Sequence, residues 1–173
     1  MNPDEQYAEA KKLYDAGQLN DALRAFEQAH AAYAAQDDRE HAAAVANDLG
    51  VVYYLAGRRD DAHKILQDAL TTFEQLGNVL GQAKALGNLA RLQERAGDRE
   101  GAERNYQRAA ELFHQGGEKE FEATTYRVLS QMQLQRGRWL ESLATYDRAL
   151  AAKGGAGALR GFLQIPLRLL GIR

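Results

Sequence analysis

The chain of 173 residues has no cysteine, which excludes disulfides, thiolate metal sites and a cysteine nucleophile and leaves the redox compartment open. Proline occurs only at Pro3 and Pro166, so the long interior is without the residue that breaks helices. Neither sign of charge dominates. A formal net charge of -2 lacks the basic excess of a nucleic-acid coat, and no nucleic-acid partner is expected. No apolar run approaches the roughly 20 residues of a spanning helix. The opening Met1-Asn2-Pro3-Asp4-Glu5 is polar and acidic, unlike a secretory signal. These absences describe a soluble, cytoplasmic protein for which a membrane is not an expected partner.

What is present is repetition. Stepping by forty residues gives Gly17, Gly57, Gly97 and Gly137, and then Ala29, Ala69, Ala109 and Ala149. The same step gives Ala22, Ala62, Ala102 and Ser142, and also Phe26, Leu66, Tyr106 and Tyr146. A register held over four copies marks a repeat protein. Alanine, leucine, glutamate, glutamine and arginine dominate, which is a helical composition.

Each unit reads as helix, tight glycine turn, helix, looser turn. Asn2-Pro3-Asp4-Glu5 is a helix start, with a capping oxygen, proline in the first turn and acids at the positive end of the dipole. The first pair is expected over about 3–16 and 19–35. Later first helices are expected over about 39–56, 79–96 and 119–136, and second helices over about 59–76, 99–115 and 139–152. Small residues belong where the antiparallel helices of a unit cross. Ala10, Gly50, Ala90 and Ser130 supply them on the first helices, and Ala22, Ala62, Ala102 and Ser142 on the second. Phe26, Leu66, Tyr106 and Tyr146 are expected to fill the space beside each crossing. No unit buries its apolar face alone, so stacking makes the core.

The pattern of small residue, glycine, alanine, aromatic and alanine resembles the tetratricopeptide repeat. Leu49-Gly50 and Leu89-Ala90 match its first-helix Leu-Gly position, and Tyr53 its first-helix tyrosine. The usual period is about 34 residues. This chain resembles the longer subclass of roughly 40, found in kinesin light chains, Leu-Gly-Asn-type polarity adaptors and bacterial peptide-sensing regulators. Gln93 and Gln133 depart from the pattern at the tyrosine position, and Glu9 replaces leucine in unit one. The resemblance implies an all-α, right-handed α-solenoid of four antiparallel helix pairs, whose first helices line a concave groove. Repeats fall at about 3–36, 39–76, 79–116 and 119–152, within a domain of 1–152. A glycine-rich linker follows over 153–158, then an apolar C-terminal helix over 159–173.

The resemblance also indicates which side chains face the groove: Tyr7, Lys11 and Tyr14, then Asn47 and Tyr54, then Lys84, Asn88, Arg91 and Arg95, then Arg127. Guanidinium groups and amides on one surface suit an acidic segment or a terminal carboxylate. Alternatively, these cations only keep a helix face soluble. Asp48 stands where the repeats that clamp chaperone tails carry asparagine, so that specificity is not expected.

In the tail, Arg160, Gln164 and Arg168 form one polar stripe on an otherwise apolar segment, with Phe162, Ile165 and Leu169 as its docking residues. Leu169 lies forty beyond Leu129. The segment either caps the solenoid, binds a partner, its own groove or a second copy, or lies on an anionic membrane surface. No catalytic constellation is found. His30, His41, His63 and His114 are scattered, and His41 with Asp37, Asp38 and Glu40 reads as helix capping rather than metal ligation. Gly154-Gly155-Ala156-Gly157 follows no strand, so it is not read as a phosphate loop. The expectation is a non-catalytic scaffold without metal or cofactor that binds a protein or peptide segment. The alternative is self-assembly through the C-terminal helix.

Overall fold

A computed structural model describes residues 2–155. The C-terminal helix expected over 159–173, with Phe162, Ile165 and Leu169, lies outside the described residues. Among those described there are eight α-helices: α1 (Pro3–Asp15), α2 (Leu19–Ala35), α3 (Arg39–Leu55), α4 (Arg59–Leu76), α5 (Val79–Ala96), α6 (Arg99–Gln115), α7 (Lys119–Gln135) and α8 (Trp139–Ala152). They fall into two units, one up to Asn105 and one from Tyr106.

Local chemistry sets the helix ends. Asn2 and Glu5 form a reciprocal cap: the Glu5 amide donates to Asn2 Oδ1 at 2.8 Å, and the Asn2 amide donates to Glu5 Oε2 at 3.0 Å. Asp38, Asn78 and Asp98 accept from the amides of His41, Gly81 and Gly101 in the same way. At the opposite ends the backbone turns left-handed. In the turn after α1, Gly17 has φ +73°, and the Gln18 amide reaches back to the Leu13 carbonyl at 2.9 Å. Asp37 adopts φ 56° where the equivalent positions forty and eighty residues later are Gly77 and Gly117. Aspartate tolerates that region better than most side chains.

In the first unit α1 packs on α2, α2 on α3, α3 on α4, and α4 on α5, while α3 also touches α5. The core cluster joins Ala10, Ala22, Phe26, Ala29, Tyr33, Val45, Leu49 and Val52. Gly50 gives Leu66 room: a methyl group in its place would lie 2.5 Å from Leu66 Cγ. In the second unit α7 packs on α8. Ser130 and Ser142 meet there, with the Ser130 hydroxyl donating to the Ser142 carbonyl at 2.8 Å. The small-residue crossing is therefore closed by a buried hydrogen bond in this pair.

One expected core position differs. Phe26, Leu66 and Tyr106 are buried, but Tyr146 is 44 % exposed. Phe26 and Leu66 lie on α2 and α4, which the first helix of the following repeat covers. No described helix follows α8 to cover Tyr146.

Candidate functional site

The first-unit face formed by α1, α3 and α5 carries a continuous chain of polar side chains. Tyr7 Oη donates to Asp48 Oδ2 at 2.6 Å, linking α1 to α3. Within α3, Asn47 Nδ2 donates to Asp48 Oδ1 at 3.4 Å. Asn88 Nδ2 then donates to Asn47 Oδ1 at 3.0 Å, linking α3 to α5. Arg91 donates to Asn88 Oδ1 at 3.1 Å and ends the chain at an exposed guanidinium. The cation of Lys11 stands 4.1 Å from the Tyr7 ring centroid at the other end.

Two pockets open beside this chain. One, of about 340 Å³, is lined by Lys11, Tyr14, Asp15, Phe26, Asp48, Val51, Val52 and Asn88. The other, of about 430 Å³, includes Tyr7, Glu40, His41, Asn47, Asp48 and Lys84. Of the residues read from the sequence, Asn47, Asn88 and Arg91 are hydrogen-bonded together, while Tyr14 and Lys84 line the adjoining pockets. Tyr54, half-buried on α3, and Arg95, exposed on α5, line neither. Arg127 belongs to the second unit, where it donates to Thr124 Oγ1 at 3.2 Å.

Asp48 departs from the asparagine of the repeats that clamp chaperone tails, and it is the acceptor on which Tyr7 and Asn47 converge. A signal for it exists. Both cross-helix links join residues 41 apart, one repeat plus one residue. Polar pairs at that separation, Tyr7 with Asp48 and Asn47 with Asn88, are visible in the sequence; the next pair, Gly87 with Val128, has no polar side chain.

Phenol-to-carboxylate bonds tie the helices of this unit together more widely. Tyr33 Oη donates to Asp4, joining α2 to α1. Tyr53 Oη donates to Glu27 Oε1 at 2.8 Å, and Arg58 stacks over the Tyr53 ring. Burial, then the carboxylate partner, pushes Tyr33 and Tyr53 up to about 12, and Tyr7 is raised by the same causes. A raised folded value means that the unfolded chain loses these protons first. The stabilisation is whole below the ordinary value of 10 and is lost as pH rises from there through about 12. Stability against denaturant should therefore fall in that window, and phenolate absorbance should show these phenols titrating late. Replacing Tyr53 with phenylalanine should remove its share of the alkaline loss. Full titration of all tyrosines near pH 10 in the folded protein would contradict this arrangement.

The second unit holds a separate polar cluster that sequence reading missed. Glu122 is buried and pairs with His114 Nδ1 at 3.1 Å, beside Tyr126 and Arg148 in a pocket of about 450 Å³. Burial raises the Tyr126 phenol, and the nearby Arg148 opposes that shift. Glu122 and Tyr126 stand eighty residues after Ala42 and Ala46, so exchange of alanine for polar residues was the available signal. Among the described residues no group of three or more His, Asp or Glu side chains is arranged to hold a metal ion, and no helix is long and apolar enough to cross a membrane.

Comparison with known proteins decides the family. The tetratricopeptide repeat model matches residues 6–75 and 77–153. The chain belongs to the tetratricopeptide repeat family. No curated protein sequence matches it significantly. Among solved structures, this tetratricopeptide repeat protein is similar to BtubC (BKLC) from P. vanneervenii, with a TM-score of 0.77 and 20 % identity over 89 % of this chain and 65 % of the other. It is also similar to aspartyl phosphate phosphatase F from Bacillus subtilis, with a TM-score of 0.82 and 14 % identity over 91 % of this chain and 41 % of that one. The TPR-like repeats of a kinesin light chain from Podosopora anserina align with a TM-score of 0.67 and 17 % identity, covering 95 % of this chain and 91 % of theirs. The chain thus spans less than two thirds of the length of the first two proteins. At these identities the likeness shows the fold alone. Tetratricopeptide repeats are in general protein-interaction scaffolds.

Proposed function

We propose that the first unit binds an extended or helical segment of a partner protein, acidic or carboxylate-bearing, across α1, α3 and α5, without catalysing a reaction. The observation that carries this reading is the hydrogen-bonded chain from Tyr7 through Asp48, Asn47 and Asn88 to Arg91. Its members hold one another in place, so a ligand meets side chains whose rotamer freedom is already spent. Arg91 uses one donor direction on Asn88, and a guanidinium has five donors suited to bidentate capture of a carboxylate. Lys11, Lys84 and Arg95 are exposed on the same helices and form no ion pair with a described residue. Asp15 and Asp48 stand with Lys11 around the smaller pocket, and Glu40 and Asp48 with Lys84 around the larger, so the acidic part of a ligand is assigned to the exposed end of the chain at Arg91.

The test is titration with length-matched synthetic peptides, one acidic, one basic and one neutral, against the native chain and against Lys84→Glu/Arg91→Glu. The acidic peptide should bind best, and added salt should weaken it. Hydrogen bonds to charged groups contribute about 1.5–3 kcal/mol each, so the double reversal should weaken binding by about two orders of magnitude or more. Both side chains are exposed, so helix content and melting should hold. Preference for the basic peptide, or undiminished binding by the variant, would refute the reading. Self-association through residues 159–173 is the second reading, favoured by an exposed apolar stripe on α8.

A further inference from the structure

In the second unit, the gap between the end of α6, the start of α7 and the end of α8 holds charges of both signs that do not meet. Its volume of about 450 Å³ is within the ~300–1,000 Å³ usual for small-molecule sites. Glu122 and Tyr126, one helical turn apart on α7, are both buried and give it a wall with a carboxylate and a phenol. A buried carboxylate is unfavourable unless a cation or hydrogen-bond donors satisfy it. His114 Nδ1 meets Glu122 Oε1 at 3.1 Å from an exposed ring, and Oε2 takes no hydrogen bond from a described residue. The permanent cations of the pocket stand apart from this acid. Arg148 has its guanidinium carbon 5.9 Å from the Tyr126 ring centroid. Neither Arg148 nor Lys119 forms an ion pair with a described carboxylate.

The repeat supplies an internal control. Eighty residues earlier, the pocket among α2, α3 and α4 stands at the same register, with Ala42, Ala46 and Asp68 in place of Glu122, Tyr126 and Arg148. Ala42 and Ala46 are buried there, so helices pack at this register with nothing more than methyl groups. The second unit instead brings an acid, a phenol and a guanidinium to one cavity at once. Packing does not require that exchange; a ligand gives it a use.

We propose that this pocket binds a free amino acid with an apolar side chain, an activity separate from the peptide-binding face of the first unit. The ligand's ammonium group takes the open oxygen of Glu122, and its carboxylate takes Arg148 and Lys119, the guanidinium offering a two-point contact. A zwitterion suits the pocket where a simple ion does not. A lone carboxylate would be repelled by Glu122, and a lone ammonium by Arg148 and Lys119. Beyond these groups the walls are the Tyr126 ring, Ala151, Ala152, Gly117 and Gly154, which leave only an apolar surface for the ligand's own side chain.

Equilibrium dialysis of the full chain against radiolabelled leucine and phenylalanine reads this directly. Both should be retained saturably, at one site per chain. N-acetylleucine lacks the cation and leucinamide lacks the anion, so each should compete about tenfold or more weakly than leucine, having lost one charge-assisted contact. Arg148→Gln and Glu122→Gln should each weaken retention by about tenfold or more while circular dichroism keeps the helices. If Glu122→Gln unfolds the second unit, the two analogues and Arg148→Gln still decide, because Arg148 is exposed. No retention at millimolar amino acid would overturn the proposal. So would equal competition by N-acetylleucine, the mark of a plain anion site, or by leucinamide, the mark of a plain cation site. Retention undiminished in Arg148→Gln would overturn it as well.

Discussion

Replacing Phe26 with alanine should destabilise the first unit by about 3–5 kcal/mol, the range for emptying a phenylalanine site in a closed core. Phe26 is 2 % exposed, and its ring meets Tyr7 edge-on with centroids 6.1 Å apart. Ala10, Ala22 and Ala29 cannot fill the space, because methyl groups held on helix backbones have no rotamer to move. For a chain of this size each kcal/mol lowers Tm by roughly 2–4 °C, so the loss should be about 10 °C, read by thermal unfolding with circular dichroism. Tyr7 would lose its wall, so the bond to Asp48 should loosen and acidic-peptide binding should weaken with stability. A fall of less than about 1 kcal/mol would mean that the site collapses and that Phe26 is not a keystone of the core.

Two glycines on first helices should respond in opposite directions. Alanine for glycine inside a helix ordinarily stabilises by about 0.5–1 kcal/mol, because the unfolded chain has less freedom to lose. Gly87 has nothing within 4 Å of an added methyl, so Gly87→Ala should realise that gain. At Gly50 the methyl meets Leu66 Cγ at 2.5 Å, and Leu66 is 1 % exposed, so the buried side chain itself must shift. Overpacking costs about 1–3 kcal/mol, which outweighs the propensity gain, and Gly50→Val should lie at the upper end. Chemical denaturation would measure both. Adding Leu66→Ala to Gly50→Val should recover part of the loss, because the two changes share one volume. A stabilising Gly50→Val would remove Gly50 from the helix crossing.

Much of this architecture was legible before any coordinates. The helix ends lie within about one residue of those read from the spacing of glycines and alanines, because capping and left-handed turns are local events with their own residue requirements. The polar chain was legible only in fragments. Asn47, Asn88 and Arg91 can be assigned to one face by period, but Asp48 stands where the family resemblance implies asparagine. Its role depends on the 41-residue offset between neighbouring first helices, a relation between helices rather than within one. Tyr54 and Arg95 share the period of the groove residues but not the pockets, since one helical face is wider than the strip a pocket occupies.

The sequence by itself determined the repeat, the eight helices of the described residues, the small residues at crossings and the family. Each of these follows from backbone conformation or from a periodicity that repeats until noise is excluded. Only the tertiary structure decided which polar atoms meet, that Asp48 receives Tyr7, that Glu122 pairs with His114, and that Tyr146 is exposed although Phe26 and Leu66 at the same register are buried. Burial and hydrogen bonding depend on what stands across the gap. A repeat position names the residue and its direction, but the neighbouring helix supplies its environment.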